Sequence, residues 1–147
     1  MKTVFDAWEL SESEISLLVE RLKHTLWQTD DEPFVLWLEG EMGAGKTTLV
    51  RHLLTAIGLP STTPVVSPTY TIVNEYHIGQ DWYAHLDLYR AEDSFSFEEL
   101  GISDFRQHRG FFVEWPASAD AEDFLPATHI LRITYNDDKR KYTLLEV

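Results

Sequence analysis

Residues Gly40-Glu41-Met42-Gly43-Ala44-Gly45-Lys46-Thr47 fit the pattern G-x-x-x-x-G-K-[ST]. No other stretch of the chain limits its folding as strongly, because the flanks must then take fixed roles. Phe34-Val35-Leu36-Trp37-Leu38 is an unbroken apolar run of strand length, which suits a strand buried on both faces of a sheet. Lys46 to Ile57 carries Leu49, Leu53 and Ile57 four apart, and Gly58 and Pro60 stop it, so this segment is expected to be a helix. Strand, glycine turn and helix in that order form a phosphate cradle. The glycines let successive backbone N–H groups turn inward, and the helix adds the positive end of its dipole. Lys46 supplies a mobile point charge for the β and γ phosphates, and the Thr47 hydroxyl is a ligand for Mg²⁺.

The rest of the chain supplies a sheet for this unit. Ser11 and Glu14 have capping-box spacing, and Ile15, Leu18, Val19, Leu22 and Leu26 follow on one helical face. Segments 70–76 and 81–89 read as strands joined near Gly79-Gln80. Segment 98–101 suggests a short helix, and segment 110–116 a buried strand stopped by Pro116. Segments 130–135 and 142–147 form a second expected hairpin around Asn136-Asp137-Asp138. The fold class predicted is α/β: a P-loop NTPase-like three-layer sandwich whose central mixed sheet carries antiparallel hairpins. The 147 residues fit one domain, 1–147.

Binding nucleotide and hydrolysing it are different tasks, and the second needs a carboxylate to hold metal or orient water. Glu114 ends the apolar run Phe111-Phe112-Val113, where an open α/β sheet presents ligands. Asp87 lies in His85-Leu86-Asp87-Leu88-Tyr89-Arg90. Strand alternation puts Trp82, Ala84, Leu86 and Leu88 on a packing face, and Tyr83, His85, Asp87 and Tyr89 on the other. His85 by itself reads as a structural hydrogen-bonder more readily than as a catalyst. Ser67-Pro68-Thr69 follows the cradle helix, where a loop sensing the γ-phosphate is common, and Ser67 and Thr69 offer hydroxyls there.

Charge and cysteine content remove several classes. Twelve Lys and Arg stand against 25 Asp and Glu, a net charge of −13. Such a surface repels nucleic-acid backbones and anionic lipid, so strong direct nucleic-acid binding and membrane docking are not expected. The run from His85 to Asp123 holds ten acids and three arginines, a face suited to solvent or to a basic partner. Zero cysteines exclude disulfides, Cys-based zinc sites and a thiol nucleophile. The N-terminus lacks the apolar stretch of a secretory signal, and a cytoplasmic location is expected.

Five segments then occur in order: Gly40 to Thr48, Ser67-Pro68-Thr69-Tyr70, His85 to Arg90, Glu98-Glu99-Leu100-Gly101-Ile102 and Glu114-Trp115-Pro116. Together they resemble the TsaE (YjeE) family of small bacterial ATPases. The resemblance implies ATP/ADP and Mg²⁺ as cofactors, and a role in forming threonylcarbamoyladenosine beside the anticodon of tRNAs that read codons beginning with A. The transferase of that reaction is TsaD, paired with TsaB, and the TsaB–TsaD pair is the implied partner. By resemblance, Met42, Gly43, Ala44, Gly45, Lys46, Thr47 and Thr48 wrap the phosphates, Thr47 and Glu114 hold Mg²⁺, and Ser11 and Arg140 flank the nucleotide. Asp87 and Trp115 fall on positions important for activity. Glu41 and Met42 stand where Asp and Leu are more usual.

The reaction expected is in-line attack of water on the γ-phosphate, with Lys46 and the loop amides stabilising charge and Asp87 or Glu114 orienting the water or the metal shell. No secure arginine finger is visible; Arg90 is nearest in sequence. Two alternatives stay open, a small-molecule kinase and a non-catalytic nucleotide sensor. A kinase would need an acceptor pocket and an arginine-bearing lid, whereas a hairpin follows the cradle helix here.

Overall fold

The computed structural model describes residues 1–28, 32–66, 73–89, 107–116 and 121–147. Among these residues the frame is a seven-stranded sheet with two α-helices. The strands are β1 (Lys2–Ser11), β2 (Phe34–Glu39), β3 (Val73–Ile78), β4 (Asp81–Asp87), β5 (His108–Glu114), β6 (His129–Asn136) and β7 (Lys139–Glu146). The helices are α1 (Ile15–Leu26) and α2 (Lys46–Ala56). In space the strands run β1-β7-β6-β2-β5-β4-β3. The central strands β6, β2, β5 and β4 are mutually parallel, and the flanking pairs β3–β4, β6–β7 and β1–β7 are antiparallel. This is the mixed sheet with hairpins read from the sequence.

The apolar runs explain the centre. β2 and β5 are buried on both faces, so neither alternates. One face of the sheet is covered by α1 and α2, whose Leu18, Val19, Leu22, Leu26, Leu49, Val50, Leu53 and Leu54 join Leu36, Leu38 and Phe112 in the larger core. Each such side chain contributes about 1.5–3 kcal/mol of gross transfer free energy. The opposite face packs Val35, Ala84, Leu86, Phe111 and Val113 under Ala121 and Leu125.

Three local readings change. Residues 2–11 form an edge strand that the sequence pattern does not show. Register shifts between Thr3 and Phe5 and between Phe5 and Trp8, with Ala7 at φ 50°, break the two-residue alternation that would reveal it. Second, Ser11 closes this strand, and residues 12–14 form a 3₁₀ turn before α1. The Glu14 carboxylate does reach back, accepting from Ser11 N–H at 3.0 Å and from its hydroxyl at 2.8 Å. Third, the two faces of β4 alternate as expected but both are buried: Tyr83 and His85 on one are as buried as Ala84 and Leu86 on the other, while Trp82, expected to pack, is 41% exposed and stacks on His77. The expected helix at 98–101 lies outside the described residues. No helix among the described residues is long and apolar enough to cross a membrane.

Candidate phosphate and metal site

The cradle joins the C-terminal end of β2 to the N-terminal end of α2. Gly43 and Gly45 sit at φ 82° and 98°, left-handed conformations that a side chain would strain. Gly45 is the N-cap of α2, its carbonyl accepting from Leu49 N–H at 2.9 Å. Ala44 N–H donates to the Glu41 carbonyl at 3.0 Å and closes the turn. Ala44 is buried, whereas Met42 projects into solvent at 66% exposure. Thr48 lies in the first turn of α2.

Lys46 is not the free point charge the motif suggests. It is 5% exposed. Its ammonium donates to the carbonyls of Gly40 at 2.5 Å and Glu41 at 3.3 Å, and stands 3.8 Å from the centre of the Trp115 ring. Burial pulls its pKa below the ordinary 10.5, and the nearby carboxylates of Glu114 and Asp87 pull the other way. Trp115 takes φ 57°, rare for so bulky a residue, and its ring also leans on Tyr89 at 4.9 Å.

The predicted metal pair meets. β5 runs parallel to β2 with Glu114 opposite Leu38, which carries the carboxylate to the start of α2. Thr47 Oγ1 donates to Glu114 Oε2 at 2.8 Å. Glu114 is 3% exposed. Asp87, at the end of β4, pairs with Glu114 across the parallel ladder. Its Oδ1 accepts from Tyr89 N–H at 3.0 Å, and its side chain is half-buried. Two hard oxygens, one a hydroxyl and one a carboxylate, fit Mg²⁺, which takes few protein ligands and shares the rest with phosphates and water.

The β6–β7 hairpin closes the other side. Arg140 donates from Nη2 to the Tyr135 hydroxyl at 2.9 Å, and its guanidinium lies 4.7 Å over the Tyr135 ring. That hydroxyl in turn donates to the Gly43 carbonyl. A Cβ on Gly45 would stand 3.6 Å from Arg140 Nε, so the arginine borders the cradle. Ser11 is brought to the same border, because Leu10 pairs with Arg140 and Ser11 with Lys139. Ser67, Thr69 and Arg90 lie outside the described residues.

Tyr135 escapes a sequence reading, and His85, read there as a structural hydrogen-bonder, has a partner the sequence does not name. Tyr135 acts on the loop only because the hairpin folds across it, so no local pattern marks it. His85 donates from Nε2 to Glu114 Oε2 at 2.5 Å in a fully buried setting. The polar row on β4 was its one signal.

The family model for "Threonylcarbamoyl adenosine biosynthesis protein TsaE" matches residues 10–143. A TsaE protein of Haemophilus influenzae is 40% identical over 117 residues, 78% of this chain and 72% of its own. One from Bacillus subtilis is 36% identical over 114 residues, 77% of this chain and 70% of its own. Both carry the name tRNA threonylcarbamoyladenosine biosynthesis protein. A crystal structure of Bacillus subtilis YdiB superimposes with a TM-score of 0.69 at 26% identity, covering 100% of this chain and 88% of that one.

Proposed function

The chain belongs to the TsaE family of threonylcarbamoyladenosine biosynthesis proteins, and from that premise we propose that it is a Mg²⁺-dependent ATPase that serves this tRNA modification together with the TsaB–TsaD pair. One observation carries the ATPase reading: the Thr47 hydroxyl and the buried Glu114 carboxylate converge beside a glycine loop that opens a helix.

In this reading ATP and ADP occupy the cradle formed by Met42 to Thr48, with Arg140 and Ser11 at its border. Thr47 and Glu114 would hold Mg²⁺, which neutralises charge developing on the transferring phosphate when bound. Lys46 exchanges the Gly40 and Glu41 carbonyls for phosphate oxygens. The backbone N–H groups of the loop are fixed beforehand by the Gly43 and Gly45 conformations and reorganise little. Asp87 is better placed than Glu114 to orient water, because Glu114 Oε2 is already engaged by Thr47 and His85 while Asp87 is half-buried at the strand end. The acidic surface suits a protein partner with basic patches better than tRNA itself.

The test is phosphate release by purified protein with and without Mg²⁺ and the TsaB–TsaD pair, wild type beside Glu114→Ala. Slow release alone, acceleration by the pair and loss in the variant are expected. Phosphoryl transfer to a small-molecule acceptor instead of water would establish a kinase. Nucleotide binding with no release, even with the pair present, would establish a sensor.

A further inference from the structure

His85 is a polar ring in an apolar wall. It lies on β4 between Asn74 of β3 and Phe112 of β5. It is 0% exposed and shares the helix-covered face of β4 with Tyr83, which packs in the core with Phe112. Phenylalanine or leucine would fill such a place without the desolvation cost of an imidazole. One contact distinguishes the histidine: Nε2 meets Glu114 Oε2 at 2.5 Å, the same oxygen that receives the Thr47 hydroxyl at 2.8 Å. With Glu114 as the acceptor, the hydrogen sits on Nε2. The other ring nitrogen, Nδ1, is buried and has no hydrogen-bond partner among the described residues. Among the described residues, the bond to Glu114 is the one hydrogen bond that anchors the ring.

We infer that His85 is a positioning residue that fixes the Glu114 carboxylate for magnesium. This inference rests on the metal reading of Thr47 and Glu114. A glutamate has three side-chain torsions, and the Thr47 hydroxyl alone leaves the carboxylate free to swing about one bond. The second donor, arriving from β4, pins one oxygen between two elements, and neither of these bonds falls on the other. Partners of this kind behind a metal-binding carboxylate change metal affinity about 10–100-fold when removed.

The experiment compares His85→Leu, His85→Gln and His85→Asn with wild type, reading ADP affinity by calorimetry across a Mg²⁺ titration and with EDTA. A glutamine amide N–H reaches the place of Nε2, whereas an asparagine amide reaches only that of Nδ1. The expected result is a Mg²⁺ half-saturation raised about 10–100-fold in the Leu and Asn variants and largely restored in the Gln variant, with Mg²⁺-free ADP affinity the same in all. The inference is overturned if Leu behaves as wild type, if Gln is as defective as Asn, or if Mg²⁺-free affinity falls in parallel. Should the Leu variant fail to fold, the Gln and Asn pair decides. Wild type that binds Mg²⁺ and ADP without releasing phosphate from ATP overturns the ATPase proposal and leaves this inference standing. Wild type that binds neither overturns both.

Discussion

Replacing Gly110 with alanine offers a sharp test of how the sheet is packed beneath the site. Gly110 pairs with Phe34 across the parallel β2–β5 ladder, and the Phe34 ring lies over it. A Cβ at position 110 would stand 2.5 Å and 2.6 Å from the two Cε atoms of that ring, and nearer still to Cζ. Ordinary contact begins at 3.4 Å, so the ring must retreat by about 0.9 Å or more (3.4 − 2.5). Retreat is blocked by Trp27 at 4.8 Å and Phe112 at 5.6 Å, both packed edge-on. Overfilling a core typically costs about 1–3 kcal/mol, and a misfit this large belongs at the upper end. Alanine in extended backbone returns about 0.4–1 kcal/mol through the unfolded chain, which leaves a net loss of about 2–3 kcal/mol. For a chain of this length that lowers Tm by roughly 4–12 °C. Urea unfolding followed by tryptophan fluorescence measures it. Phe34→Leu in the same background should then be less harmful than the two single changes summed, by at least about 1 kcal/mol. A Gly110→Ala protein within about 0.5 kcal/mol of wild type, or simple additivity in the double variant, would refute the packing argument.

His129 is held below its ordinary pKa of 6.5 mainly by burial, with Glu146 opposing. The unfolded chain therefore takes up its proton first, and stability falls as pH drops below 6.5 until the folded form protonates too. His129→Gln should flatten that part of the urea stability profile, and an unchanged slope between pH 6.5 and 5 would count against this. Tyr135→Phe removes the hydroxyl that links Gly43 to Arg140, so amide exchange at Ala44 should quicken while global stability changes by about 1 kcal/mol or less. Equal exchange rates in the two proteins would show that the hairpin does not brace the loop.

Much of the site was readable because its chemistry is local. Gly40 to Thr47, the strand before it and the helix after it are adjacent in the chain, and β5 declares itself by an apolar run ending in Glu114. Contacts set by strand order were not readable. That His85 rather than a water meets Glu114 follows from β4 lying beside β5, and that Tyr135 reaches Gly43 follows from β6 lying beside β2. The edge strand β1 was hidden by its own bulges, which place the buried Phe5 and Leu10 an odd number of residues apart. Lys46 shows a third kind of gap: the motif gives its partner in the loaded state, whereas its present partners are two carbonyls and an indole.

If the cradle takes nucleotide as proposed, that last arrangement would set an entry threshold. A lysine waiting in water needs only a weak anion to hold it, but this ammonium is already solvated by its own loop and must trade one set of oxygens for another. A ligand with a single modest charge has little to offer in such a trade. For the ATPase proposed above, a polyphosphate, which would engage the loop amides at the same time, would win it, and selectivity would begin before any base or sugar is touched.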